Sequence, residues 1–98
     1  MEIKIPDKIQ VGGHEYRVVY RDDLDRTERW RGTANHVNLS IEIDSHEEGT
    51  RLMSTFLHEL LHSVDKIYNC AAIPEEGIDA ISEGLTQALQ SMGIKFVR

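Results

Sequence analysis

The sequence predicts an α+β domain, a small and mainly antiparallel sheet of three to four strands followed by two packed helices. Three observations carry this. Residues 3 to 44 hold several short runs in which apolar and polar residues alternate with a period of two. Beyond Ser45 the apolar residues recur at helical spacing, in two runs separated by a connector that ends at Pro74. The chain has 98 residues and one cysteine, enough for a single core and no internal disulfide, so residues 1–98 are read as one domain.

The elements follow in order. Ile9-Gln10-Val11, then Gly12-Gly13, then Glu15 to Arg21 reads as a hairpin turning at the glycine pair. In its second arm Tyr16, Val18 and Tyr20 alternate with Arg17, Val19 and Arg21, which suits a half-buried strand. Asp22 to Asp25 reads as a loop, and Arg29 to Gly32 begins a further extended segment. Val37, Leu39, Ile41 and Ile43 alternate with Asn38, Ser40, Glu42 and Asp44, predicting one strand with a single buried face. Ser45-His46-Glu47-Glu48 has the form of a capping box, predicting a helix that starts at Ser45. Its apolar stripe runs from Leu52 through Phe56, Leu60 and Val64 to Tyr68. Pro74 suits the first position of the second helix, whose stripe is Ile78, Ile81, Leu85, Leu89 and Met92 and whose stop is Gly93.

Composition narrows the function. A net charge of −6 argues against sequence-independent nucleic-acid binding. No apolar run is long enough to span a bilayer and no charged-then-apolar leader opens the chain, which predicts a cytoplasmic protein without a membrane partner.

The informative stretch is His58-Glu59-Leu60-Leu61-His62. Residues four apart on a helix nearly share a face, so the two imidazoles project side by side from consecutive turns and can converge on one ion. Glu59 lies about 100° further round, poorly placed as a ligand but able to take a proton from water held at the metal. Two ligands and one general base thus come from five residues. A helix with an ordinary solvated polar face would carry the same residues, with Arg51, Thr55, Asp65 and Asn69 on that line.

A catalytic zinc needs a third protein ligand and an open position. No histidine follows His62, so the ligand is sought among Glu75, Glu76, Asp79 and Glu83, with Cys70 a weaker choice. If the second helix returns antiparallel, Asp79 and Glu83 regain the level of His62, and Glu75 and Glu76 lie too near the helix start. Asp65 could hold a histidine ring or serve as a helix-end acid, and Arg51 and Thr55 should border the cleft.

His58-Glu59-Leu60-Leu61-His62 followed by Asp79-Ala80-Ile81-Ser82-Glu83 resembles the gluzincin zinc metallopeptidases, in whose thermolysin-like members the ligand opens a segment reading E-A-I-S-D. The whole chain is similar to minigluzincins and to short phage-encoded metallopeptidase-like proteins. The resemblance implies a minimal zincin-like domain that binds Zn2+ through His58, His62 and Asp79, with Glu83 as supporting partner of a histidine or as the alternative third ligand. It implies Glu59 as general base, a peptide or protein substrate, and an edge strand, Val37 to Ile43 or its neighbour, that pairs with extended substrate. The family ligand is glutamate where this reading has aspartate, the shorter acid.

Larger gluzincins add an oxyanion donor from a C-terminal domain. Here His36, Tyr68 or a backbone group would have to serve, His14 and His46 reading as surface residues and Trp30 as core. The expected function is zinc-dependent peptide hydrolysis. The alternatives are a protease-like zinc-binding module that works through a partner without hydrolysis, and an acidic interaction protein without metal.

Overall fold

The computed structural model describes residues 1–22, 24 and 31–98. Among these residues the order is β1 (Glu2–Lys4), β2 (Lys8–Val11), β3 (His14–Arg21), β4 (Gly32–Asn35), β5 (Ser40–Asp44), α1 (Gly49–Asn69), α2 (Glu75–Ser91) and β6 (Lys95–Val97). The fold is α+β, as the alternation followed by helical spacing predicts. Most of the expected loop after Asp22, the start of the extended segment at Arg29 and the placement of Trp30 lie outside the described residues.

Four strands form a mixed sheet in the order β2-β3-β5-β4. β2 and β3 make the expected antiparallel hairpin, with Val11 opposite His14 across Gly12-Gly13. Gly12 adopts φ 61°, a conformation glycine takes without penalty, and its bare Cα lets Ile67 of α1 close over the turn. β3 and β5 pair in parallel, Val18 opposite Ile41, while β4 pairs antiparallel with β5 and occupies the sheet edge. β1 and β6 form a separate parallel pair that brings residues 2–4 beside residues 95–97.

The core lies between this sheet and α1. Tyr16, Val18, Ile41 and Ile43 meet Leu52 and Phe56 there. Phe96 of β6 packs edge-on against Phe56, with ring centroids 5.8 Å apart. Among the described residues no helix is long and apolar enough to cross a membrane.

Four details depart from the sequence reading. First, the alternating run does not begin as strand at Val37, which is 96% exposed. The side chain of Asn35 accepts from the backbone N–H groups of Val37 and Asn38, closing a turn that Leu39 completes at φ 56°. Second, β5 is buried on both faces. Ile41 and Ile43 face α1, whereas Glu42 accepts hydrogen bonds from Arg21 and Ser40 on the other side, which makes burial of a carboxylate tolerable.

Third, α1 does not start at Ser45. Asp44 ties His46 and Glu47 into a turn at the end of β5, and the side chain of Ser45 reaches Asp22. The helix begins only at Gly49, with Glu48 as N-cap and no side-chain cap bond. Fourth, α2 is rotated from its expected stripe. It buries Ile78, Ser82 and Thr86 and leaves Ile81, Leu85 and Met92 exposed. The hydroxyls of Ser82 and Thr86 bond to carbonyls of their own helix, so these small residues can be buried against α1 without orphaned polar atoms.

Candidate metal centre

The polar line of α1 is a seam under α2 and beside β4. A cleft of about 620 Å³ opens there. Gly32 to Ala34 and His36 wall one side, His58, Glu59 and His62 form the floor, and Glu75, Asp79 and Glu83 of α2 form the other wall.

His58 and His62 point into this cleft with their Nε2 atoms 3.2 Å apart. Glu75 spans the pair. Its Oε1 lies 2.9 Å from Nε2 of His58 and its Oε2 lies 2.9 Å from Nε2 of His62. Ligand atoms around a tetrahedral zinc, each at about 2.0–2.1 Å from the ion, are roughly 3.3 Å from one another. The spacing of these donors is therefore close to what one small cation requires. Asp79 meets the same ring from behind, with Oδ1 3.1 Å from Nδ1 of His58. A carboxylate in that position holds the proton on Nδ1 and leaves the Nε2 lone pair for a ligand. His58 thus faces a carboxylate at each ring nitrogen.

This placement differs from the helix-level expectation, which set Glu75 too near the start of α2 and favoured Asp79 and then Glu83. The connector explains the difference. Asp65, buried at the end of α1, accepts the backbone N–H of Ile73 on both carboxylate oxygens, at 3.3 and 3.2 Å, and the side chain of Asn69 at 3.0 Å. Cys70 and Ala71 take left-handed conformations that fold the chain back at once. By Ile73 the chain has already returned to the level of Asp65, so the first residue of α2 reaches the histidines. Asp79 then lies beside His58, and Glu83 is one turn too far, accepting from Ser54 at 3.1 Å. Asp65 holds this connector, and among the described residues its side chain bonds Asn69 and Ile73 rather than a histidine.

A scan of family models gave no match, and searches of curated proteins and of solved structures gave none either.

Glu59 lies on the cleft floor and is 7% exposed, with Oε2 4.0 Å from Nε2 of His58. Burial, and then the neighbouring charges of Glu75 and Asp79, push its carboxyl up to about 8. A cation held by the cluster would oppose that rise, since an opposite charge favours the carboxylate.

The other residues singled out from the sequence divide clearly. Thr55 is buried and lines the cleft, while Arg51 turns away to pair with Glu47 at 3.5 Å. His36 lines the cleft. Tyr68 is 70% exposed at the far end of α1, and Cys70 is exposed at its C-cap. Glu76 and His14 are exposed, and His46 bonds Asp44. The edge beside the cleft is β4, since β5 is paired on both sides. Sequence reasoning missed Gly32, whose missing side chain lets β4 lie against Thr55 and Glu59. A lone glycine opening a strand was the available signal.

Proposed function

We propose that this chain is a zinc-dependent metallopeptidase in which His58, His62 and Glu75 hold the metal, Asp79 orients His58, and Glu59 is the general base. The observation that carries the reading is the carboxylate of Glu75 set between the two Nε2 atoms, 2.9 Å from each. It also changes how the family resemblance applies. A glutamate ligand with an aspartate four residues on falls at Glu75 and Asp79, in Glu75-Glu76-Gly77-Ile78-Asp79, rather than at Asp79 and Glu83. The shortened third ligand is then no longer needed.

Bound zinc would supply Lewis acidity, bringing the ionisation of a water molecule to about pH 7 and polarising the peptide carbonyl. The remaining chemistry belongs to the chain. Glu59, beside His58 and shielded from solvent, accepts the proton of the attacking water and returns it to the departing amine. Asp79 keeps His58 in one tautomer. The edge of β4, unpaired among the described residues, would offer backbone groups to an extended peptide lying along the cleft as an added strand.

The test is direct. Protein purified without a histidine tag should carry about one zinc per chain by elemental analysis, and E75A should lose it. E59Q should keep the zinc and lose cleavage of an unbiased peptide library. Wild-type protein without bound metal after zinc loading sinks the reading. A second reading, a zinc-holding module that works through a protein partner, draws on the exposed Ile81, Leu85 and Met92 of α2. It gains if the wild type holds zinc and cleaves nothing in the library.

A further inference from the structure

We propose that His36 is a catalytic residue of this site, a neutral imidazole whose Nε2–H stabilises the oxyanion formed when water adds to the peptide carbonyl. The proposal rests on the hydrolase reading above and names the group that reading lacks.

The placement of His36 is built rather than incidental. It is the first residue after β4, on the turn that Asn35 closes by accepting from Val37 and Asn38. It stands on the cleft wall across from α2. From inside the core, Tyr16 brings its hydroxyl to 3.0 Å from Nδ1 of His36. Tyr16 is fully buried, so the rigid core fixes that contact and the ring that depends on it. The two rings meet edge-on, with centroids 6.1 Å apart and planes at 76°. If the phenol donates to Nδ1, the ring proton sits on Nε2, the tautomer this role requires.

Of the other donors, His46 bonds Asp44 and Tyr68 stands exposed outside the cleft, while Arg31 lines the cleft and meets Glu47 through Nε at 3.8 Å. Burial and then the charge of Lys66, with that of His62, hold His36 below the ordinary histidine range, which favours a neutral N–H donor at neutral pH.

The step balances without another reactant. Water oxygen bonds the carbonyl carbon as Glu59 takes a water proton, and the carbonyl π pair moves to oxygen. Nε2–H of His36 donates a hydrogen bond to that oxygen and keeps its proton. When the carbonyl re-forms, the C–N bond breaks and the amine leaves with the proton from Glu59. A preorganised donor of this kind is worth about 10²–10³ in kcat.

Three measurements test it. H36A should lower kcat by about 10²–10³ while KM stays within about threefold, because the bond exists only in the transition state. Zinc content should be unchanged. Affinity for a phosphinic peptide, a tetrahedral mimic read by calorimetry, should fall with kcat, and H36Q should recover part of both. In ¹⁵N spectra of the zinc-loaded protein, His36 should be the Nε2–H tautomer, and Y16F should lose that preference. Wild-type enzyme that cleaves peptides, with H36A equally fast and equally tight for the phosphinate, overturns the role of His36 alone. Zinc-loaded wild type that neither cleaves nor binds the phosphinate overturns the hydrolase reading and this inference with it.

Discussion

Oδ1 of Asp79 lies 3.1 Å from Nδ1 of His58, on the side of the ring away from Glu75. One acid thus faces the nitrogen that would bind metal and another faces the nitrogen that would carry the proton. The two positions predict different losses. D79N should weaken zinc binding by about 10–100-fold, the usual cost of removing a partner that orients a ligand. E75A should remove stoichiometric binding, and E83Q should leave it unchanged because Glu83 is engaged with Ser54. Competition with a chromophoric chelator ranks the three.

The raised pKa of Glu59 predicts how the metal-free protein responds to pH. Its carboxyl titrates near 4.5 when unperturbed and at about 8 in the fold. The folded state therefore holds this proton more tightly than the unfolded chain. The associated stability is fully present below about pH 4.5 and is lost as the pH rises through about 8. Urea unfolding of metal-free protein across that window should show a falling midpoint, and E59Q should flatten it. A wild-type midpoint that rises between those limits, with E59Q unchanged, contradicts the assignment.

Gly32 is the close approach between β4 and α1. A Cβ there would stand 2.8 Å from Cγ2 of Thr55, 3.0 Å from the carbonyl oxygen of Glu42 and 3.1 Å from Cγ of Glu59. G32A should cost about 1–3 kcal/mol in denaturant unfolding, since the backbone oxygen cannot step aside. It should also slow peptide cleavage beyond any loss of fold, because the displaced atoms include those of Glu59, the proposed general base.

Asp65 sets the return of the chain toward the histidines. D65A leaves the N–H of Ile73 without its carboxylate, a loss of about 1–3 kcal/mol. Glu75 follows two residues later, so zinc affinity should fall as well. Measuring both on one variant separates this from a substitution remote from the connector, which lowers stability alone.

The parts of the fold legible in the sequence were those set by local pattern. The glycine pair gave the β2–β3 turn, and the spacing of Leu52, Phe56 and Leu60 gave the sheet-facing side of α1. What was not legible depended on particular side-chain hydrogen bonds that the apolar pattern does not encode. The strand pattern at Val37 was overruled by the side chain of Asn35. The capping box at Ser45 was overruled by Asp22 and Asp44. The stripe on α2 misled because Ser82 and Thr86, whose hydroxyls bond their own helix, are buried while Ile81 and Leu85 stay exposed. In the site, His58, Glu59 and His62 were visible because their relation is a property of one helix. The position of Glu75 was not, since it depends on how Asp65 and two left-handed residues shorten the connector.

The pairing of β1 with β6 joins segments separated by nearly the whole chain. Loop-closure entropy disfavours such a contact until the intervening structure exists, so this seam forms late in folding. Parting it would unseat Phe96 from Phe56, and Phe56 stands two residues before His58 on the same helix. Parting the seam therefore reaches the helix that carries the floor of the cleft.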